Sequence, residues 1–244
     1  PGAAGRAGAA RGGRGRAGGR IGGVSAPDWT AVVPVKRLSA AKSRLRGAVP
    51  AAWHEGLALA MVRDTVTAIA ACEQVGEVVV VTDDPAAAAA VAALGARVVG
   101  DVGGGLNGAL RHGADVVVGP GRRRAALAGD LPALRPDELG AALLAAGDTR
   151  AFVVDAAGSG TVLLTAGRGS ALDPRFGAGS AAAHAASGAT ALGGDWPGLR
   201  QDVDTAADLR TVLELGAGDH TCALLRDLGL AGCGSSRVPA GPPR

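Results

Sequence analysis

Tyrosine is absent from this 244-residue sequence, and aromatic residues make up only 2% of it. A core must therefore be built from Val, Leu, Ile and Ala, and the 48% hydrophobic content is ample for one. No apolar run reaches the roughly eighteen residues of a membrane-spanning helix, and the N-terminus lacks the apolar stretch of a secretory signal. We expect one α/β domain without membrane partners.

Cysteine is also scarce. The three cysteines, Cys72, Cys222 and Cys233, form an odd and widely spaced set that shows no metal-ligand spacing. We expect no disulfide framework among them. A cytoplasmic location fits this pattern best, because the cytoplasm keeps thiols reduced.

Acidic residues are missing from the first 27 residues, which hold five arginines among Gly and Ala. Removing these five from the 25 basic residues leaves 20, against 22 acidic residues, so the rest of the chain is nearly neutral. We expect a disordered leader over 1–27, a functional domain over 28–230 and a loose tail over 231–244. An RNA-binding leader is the alternative, but the near-neutral remainder indicates no nucleic-acid partner.

The central part of the chain alternates between strand-like and helical segments. Most strand-like segments are continuous β-branched runs, as in strands that are buried on both faces. This order predicts a mostly parallel sheet with helices on both faces, and ligands then bind beyond the carboxyl ends of the strands. The predicted strands are 30–35, 77–82, 97–99, 124–128, 151–154 and 161–165, and the predicted helices are 51–72, 85–94, 107–113, 136–146, 180–187, 206–215 and 220–228.

A basic segment follows the first predicted strand. It carries four cations within nine residues: Lys36, Arg37, Lys42 and Arg44. The segment lacks the Gly-x-x-x-x-Gly-Lys frame of a P-loop. Lys and Arg here can hold a triphosphate, Arg as a fork and Lys as a point charge. A solvated basic loop is the alternative.

Three aspartates are candidate metal ligands. Asp130 follows the fourth predicted strand, while Asp202 and Asp204 alternate along an extended segment, so that both can face one point. Two carboxylates about 4 Å apart repel by roughly 4 kcal/mol at an effective dielectric of about 20, and Mg²⁺ removes that cost. The alternatives are a turn-forming Asp130 and a helix N-cap at Asp204 or Thr205.

Two glycine-rich segments lie between residues 155 and 188. DAAGSGT ends at Thr161 and precedes a predicted strand, and FGAGS ends at Ser180 and precedes a short predicted helix. Glycines before a helix expose backbone N–H groups to an anion. His184 lies one turn after Ser180, and we interpret it as a packed or solvated histidine.

Five segments together resemble a known family. PVKRLSAAKSRL, GDLPAL, GSGTVLL, LDPRFGAGSAAAH and DVDTAADL occur in the order and spacing of the phospholactate and phosphoenolpyruvate guanylyltransferases of coenzyme F-420 biosynthesis. The resemblance implies a Rossmann-like nucleotidyltransferase fold of the nucleotide-diphospho-sugar transferase type. It also implies transfer of GMP from GTP to phosphoenolpyruvate, which gives enolpyruvoyl-2-diphospho-5'-guanosine and pyrophosphate.

The same resemblance assigns roles to individual residues. It implies that Asp130, Asp202 and Asp204 ligate Mg²⁺, and that Thr161, Gly177 and Ser180 bind the phosphorylated acid. The residues assigned to GTP are Lys36, Arg37, Lys42, Arg44, Leu106 and Asn107. The resemblance further implies that Lys36 and Lys42 act in catalysis beside the three aspartates. Ser159, Val162 and Ala178 depart from the family pattern, which puts the finer shape of the acid pocket in question.

Three alternatives stay open at this stage. The acceptor is phosphoenolpyruvate or 2-phospho-L-lactate, and we favour the former because the composition suggests a high-GC actinobacterium, where the family is thought to use it. A molybdopterin guanylyltransferase fits less well, because its Leu-x-Gly-Gly is replaced by Val35-Lys36-Arg37. A non-catalytic nucleotide- or RNA-binding module explains the leader but not the three aspartates.

The resemblance also suggests a protein partner. The downstream transferase of the coenzyme F-420 pathway is a candidate partner.

Overall fold

The structure is a computed structural model that describes residues 2, 27–40 and 49–230. The strands in these ranges are β1 (Trp29–Pro34), β2 (Val75–Val81), β3 (Arg97–Val99), β4 (Arg123–Leu127), β5 (Ala151–Val154), β6 (Thr161–Ala166) and β7 (Thr190–Ala191). The helices are α1 (His54–Ala70), α2 (Pro85–Ala92), α3 (Gly105–Arg111), α4 (Pro136–Ala146), α5 (Ser180–Ala186), α6 (Pro197–Arg200), α7 (Ala206–Leu215) and α8 (Asp219–Asp227).

The seven strands form one sheet in the order β3-β2-β1-β4-β6-β5-β7. Strand β1 is parallel to β2 and β4, β2 is parallel to β3, and β5 is parallel to β7. Strand β6 alone runs antiparallel to its neighbours β4 and β5. The predicted mostly parallel sheet is confirmed, and its reversed strand is new. Because β6 is reversed, it begins at the edge where the other strands end.

Both faces of the sheet are buried. Val33 and Val80 pack on one face against Val66 of α1 and Leu143 of α4. Val32 and Val79 point the other way and pack against Leu110 of α3. Successive residues of one strand are thus equally buried, which explains the continuous β-branched runs in the sequence. The prediction of helices on both faces is confirmed.

A third apolar cluster joins the C-terminal helices to α1. It contains Leu57 and Met61 of α1, Val212 of α7 and Leu225 of α8. Val203 is fully buried in the same cluster. The extended segment that carries the two alternating aspartates is therefore anchored through the residue between them.

The helix ends differ from prediction in places where packing decides them. Helix α3 begins at Gly105 and continues into a π-helical turn over His112–Val118. A side chain at Gly113 would lie 2.7 Å from Val32 and 2.8 Å from Val81, so a glycine permits this close approach to the sheet. The short elements α6 and β7 were not predicted, because neither is long enough to show a period.

Several sequence predictions fall outside the described residues. They concern the leader 1–27 except Gly2 and Pro27, the tail 231–244, and the cations Lys42 and Arg44. The division into leader, domain and tail stays a prediction.

The cysteines differ from expectation. Cys72 is buried and free, whereas Cys222 is disulfide-bonded, so the expectation of no disulfide is wrong at Cys222. In the described part of the chain, no helix is both long and apolar enough to cross a membrane. The cytoplasmic location stays a prediction.

Candidate active site

A cavity of about 780 Å³ opens at the edge of the sheet where β1, β4 and β5 end and β6 begins. It lies where the sequence analysis placed the ligand site of a mostly parallel sheet. Among the predicted site residues, those that line the cavity are Lys36, Leu106, Asp130, Thr161, Gly177, Ser180, Asp202 and Asp204. We call Asp130, Asp202 and Asp204 the carboxylate side, and Thr161, Gly177 and Ser180 the acceptor side.

The carboxylate side is brought together by backbone contacts. The amide of Val203 donates to the carbonyl oxygen of Asp130 over 3.2 Å. In the same loop, the amide of Leu131 donates to the Thr65 hydroxyl of α1 over 3.0 Å. Because Val203 points into the core, its two neighbours Asp202 and Asp204 point the other way and line the cavity. The structure thus brings the three predicted aspartates to one place.

Two further contacts hold the chain that leads into this segment. The Glu138 carboxylate accepts the amide of Leu199 over 2.8 Å, and burial raises the pKa of Glu138. The amide of Ala156, just after β5, donates to the carbonyl oxygen of Arg200 over 2.9 Å. The segment that ends in Asp202 is therefore fixed both to α4 and to the loop after β5.

The N-cap of helix α7 is not formed by an aspartate of the carboxylate side. Thr205 is the N-cap of α7, and its side chain forms a capping box with Asp208. The alternative interpretation of this segment as a helix cap is therefore right for Thr205. Asp202 and Asp204 line the cavity alongside it.

On the carboxylate side, several carboxylates lie close enough to repel one another. Burial raises the pKa of Asp202 from 3.8 to about 7, with additional repulsion from the carboxylates of Asp130, Asp204 and Asp155. Within the described residues, no three or more Asp, Glu, His or Cys side chains lie close enough together to hold a metal ion by themselves. The three aspartates share the cavity without forming such a group.

Asp155 is a cavity residue that the sequence analysis did not single out. It closes the turn between β5 and β6, where its two carboxylate oxygens accept the amides of Ser159 and Gly160, both over 2.9 Å. A side chain at Gly160 would collide with this carboxylate. The Asp followed by Gly-Ser-Gly was a readable turn signal.

The acceptor side is shaped by side-chain hydrogen bonds. The guanidinium of Arg150 donates to the carbonyl oxygens of Leu172 and Asp173, each over 2.8 Å. The Asn107 amide group donates to the carbonyl oxygen of Phe176 over 2.9 Å and accepts the Phe176 amide over 2.8 Å. The loop before Gly177 is thus held from two sides. Asn107 makes these contacts from α3, and its assignment to GTP stays a prediction.

His184 lies behind the acceptor side and is fully buried. Its ring packs against Phe176 at 5.2 Å and Phe152 at 5.8 Å between ring centroids. Burial and the nearby positive charge of Arg150 lower the pKa of His184 from 6.5 to about 4, so the ring is neutral at neutral pH. Of the two interpretations of this histidine, packed or solvated, packing is confirmed.

The basic segment is tied to the loop after β2. Arg37 donates to the carboxylate of Asp83 over 2.8 Å, and the amide of Leu38 donates to Asp84 over 2.9 Å. Lys36 is exposed and lines the cavity. Lys36 is therefore placed to meet a ligand in the cavity, while Arg37 faces Asp83.

The family described as "Guanylyl transferase CofC like" matches residues 29–237. The chain belongs to this family. The match spans most of the chain and contains all five motifs on which the resemblance was based, so that the resemblance is confirmed.

Curated relatives share a large part of the sequence. A phosphoenolpyruvate guanylyltransferase from Salinispora arenicola is 57% identical over 217 residues, which cover 87% of this chain and 97% of the relative. One from Geodermatophilus obscurus is 56% identical and covers 83% and 96%. One from Mycobacterium ulcerans is 46% identical and covers 80% and 92%. The chain thus spans nearly the full length of these three relatives.

Solved structures support the fold assignment. A structure described as a nucleotide-diphospho-sugar transferase from Desulfovibrio desulfuricans matches with a TM-score of 0.64 at 17% identity, over 83% of this chain and 95% of that one. A nucleotidyl transferase from Methanothermobacter matches with a TM-score of 0.51 at 20% identity, over 82% and 99%. The predicted nucleotide-diphospho-sugar transferase type of fold is confirmed.

Proposed function

We propose that this chain transfers GMP from GTP to phosphoenolpyruvate, giving enolpyruvoyl-2-diphospho-5'-guanosine and pyrophosphate in coenzyme F-420 biosynthesis. The observation that carries the proposal is one cavity that joins three carboxylates, Lys36 and a glycine-rich pocket. The chain belongs to a guanylyltransferase family, and its relatives named phosphoenolpyruvate guanylyltransferase are 46% to 57% identical.

The reaction is a phosphoryl-group substitution that needs little acid–base help. A phosphate oxygen of the acceptor attacks the α-phosphorus of GTP in line, a new P–O bond forms, and the bond to the β-phosphate breaks as pyrophosphate leaves. The attacking oxygen is already anionic near neutral pH, so a strong general base is not required. Catalysis then consists of positioning and charge stabilisation.

Different residues carry out the positioning and the charge stabilisation. Thr161, Gly177 and Ser180 hold the anionic acceptor by hydrogen bonds. Lys36 stabilises the leaving pyrophosphate by its charge, together with Lys42, and Leu106 contacts the nucleoside. We expect Arg44 to complete the basic surface that faces the GTP phosphates, together with Arg37, whose guanidinium also contacts Asp83.

The donor chemistry of the carboxylate side suits Mg²⁺, although its three aspartates do not by themselves form a closed metal site. Its ligands are hard oxygens, and the repulsion felt by Asp202 is what a divalent cation offsets. Asp130, Asp202 and Asp204 would hold the ion, and the remaining positions suit phosphate oxygens and water, since Mg²⁺ usually keeps both in nucleotide sites. When bound there, Mg²⁺ would neutralise charge on the α-phosphate and help to orient the two substrates.

One assay tests the proposal. Pyrophosphate release is measured with GTP or ATP crossed against phosphoenolpyruvate or 2-phospho-L-lactate, each with and without Mg²⁺. We expect turnover with GTP, phosphoenolpyruvate and Mg²⁺ together. Faster turnover with 2-phospho-L-lactate would replace the acceptor, and turnover in no combination would overturn the enzyme assignment.

Two further parts of the proposal concern the surroundings of the enzyme. The product carries an activated diphosphate bond, so a downstream transferase of the coenzyme F-420 pathway is the proposed partner, in a cytoplasmic setting. The family assignment does not favour the alternative of a non-catalytic RNA-binding module. RNA binding that disappears when residues 1–27 are deleted would revive that alternative.

A further inference from the structure

His184 forms hydrogen bonds through both ring nitrogens, and its partners lie in two different parts of the acceptor side. Nε2 lies 2.9 Å from the backbone nitrogen of Arg175, in the loop before Gly177. Nδ1 lies 2.9 Å from the hydroxyl oxygen of Thr161, at the start of β6. The ring thus connects two segments of the pocket that are distant in sequence.

The first of these bonds determines the tautomer of the ring. A backbone amide can only donate, so Nε2 must accept the hydrogen of Arg175 and cannot carry one itself. A neutral imidazole then carries its single hydrogen on Nδ1. The fully buried position of His184 and its low pKa agree with a neutral ring.

The tautomer in turn determines what the Thr161 hydroxyl can do. Because Nδ1–H donates, the Thr161 oxygen accepts, and its own hydrogen cannot point at the histidine. That hydrogen is left to donate elsewhere, and Thr161 lines the cavity. Phosphate and carboxylate groups of an anionic acceptor only accept hydrogen bonds. The hydroxyl of Thr161 thus has the polarity that such an acceptor needs.

We propose that His184 is a positioning residue that holds the Thr161 hydroxyl as a hydrogen-bond donor toward the anionic acceptor substrate. This inference rests on the proposed function, since it assigns the Thr161 side of the cavity to the acceptor. His184 touches no substrate in this arrangement. It acts through Thr161, and it also holds the Arg175 amide beside the glycine-rich loop.

Two substitutions separate the two nitrogens of the ring. His184→Asn places an amide N–H near the position of Nδ1 and keeps the donor to Thr161, but it loses the acceptor for Arg175. His184→Gln places a carbonyl oxygen near the position of Nε2 and keeps the acceptor, but it loses the donor. A role limited to packing predicts similar kinetics for both variants.

The expected result is a change in KM for one substrate only. Loss of a hydrogen bond to a charged group lowers affinity by about 10- to 100-fold. His184→Gln should therefore raise the KM for phosphoenolpyruvate by at least about tenfold, with the KM for GTP unchanged. For His184→Asn, the KM values for phosphoenolpyruvate and for GTP should both stay within about threefold of those of the wild type. In a Thr161→Val background, the difference between the two variants should vanish. Equal changes in both variants would overturn the inference.

A measurement on the unmodified protein covers the case in which a variant does not fold. Long-range ¹H–¹⁵N correlation spectra distinguish the two neutral tautomers of a histidine ring. We expect the Nδ1–H tautomer for His184 at pH 7, and an Nε2–H tautomer or a charged ring would contradict the inference. Absence of turnover by the wild type would instead count against the proposed function. The observed tautomer would still show whether His184 donates a hydrogen bond to Thr161.

Discussion

The carboxylate side and the acceptor side of the cavity lie at the same edge of the sheet, but different contacts shape them. Backbone hydrogen bonds, such as that between Val203 and Asp130, place the aspartates, whose charges then repel one another. On the acceptor side, the side chains of Asn107, Arg150 and the buried His184 hold the loop and the hydroxyl by directed hydrogen bonds. We therefore expect activity to be sensitive to changes of charge on the carboxylate side and to changes of hydrogen-bond geometry on the acceptor side.

The largest effect is expected on the carboxylate side. Asp202→Asn removes a charge from the proposed Mg²⁺ site, and the loss of several kcal/mol of charge stabilisation should lower kcat/KM about 10³-fold. The free energy of unfolding at pH 8 should not fall, because the replaced carboxylate is repelled by its neighbours. Pyrophosphate release and urea denaturation measure the two quantities.

A matched control for this substitution is Asp195→Asn. Asp195 is an exposed aspartate that does not line the cavity. The rate of pyrophosphate release by Asp195→Asn should equal that of the wild type. Near-normal turnover by Asp202→Asn at ordinary Mg²⁺ would remove Asp202 from the proposed site.

The next effect is a pH dependence of stability that originates on the acceptor side. The pKa of His184 is lowered from 6.5 to about 4, so between these pH values the unfolded state binds more protons than the folded state. The free energy of unfolding should therefore fall by about 3 kcal/mol as the pH drops from 6.5 to 4. Denaturation of wild type and His184→Asn across this window isolates the contribution, because the carboxylates titrate in both. Parallel curves for the two proteins would contradict it.

A smaller effect separates two roles of Asn107. If Asn107 holds the acceptor loop through Phe176, Asn107→Ala should raise the KM for phosphoenolpyruvate about tenfold and leave the KM for GTP nearly unchanged. Steady-state kinetics with each substrate varied in turn decide between the roles. A rise confined to the KM for GTP would instead support the assignment of Asn107 to the nucleotide.

The smallest effect concerns the helix that follows the carboxylate side. Thr205→Ala removes the N-cap of α7 and should lower the free energy of unfolding by about 1 kcal/mol. Thr205→Ser keeps the capping hydroxyl and should retain most of that stability. Thermal denaturation compares the two variants, and an equal loss in both would show that the hydroxyl does not provide the cap.

Much of the carboxylate side could be predicted from sequence because local rules govern it. The period of two along an extended segment places Asp202 and Asp204 on one side. Pro132 cannot donate to a strand ladder, so it predicts that the strand ends near Asp130. Asp155 was missed, although its turn signal was present. No local rule indicates that the loop after β5 lies beside the segment of Asp202.

The acceptor side depended more on the resemblance to a family than on local pattern. Thr161 is the first residue of a strand, and in a fully parallel sheet that position lies at the edge away from the ligand. The reversal of β6 moves it to the active edge. Strand direction is set by contacts across the sheet, and a short buried strand shows the same pattern in either direction.

The alternation of strands and helices, the burial of both sheet faces and the pairing of two aspartates could all be predicted from sequence, because each follows from the spacing of side chains along the chain. The reversed strand, the joining of Asp130 to Asp202 and the two hydrogen bonds of His184 became visible only in the folded protein. These features depend on hydrogen bonds between residues far apart in sequence, such as the 23 positions between Thr161 and His184. Local spacing does not specify such partners, because the folded chain brings them together.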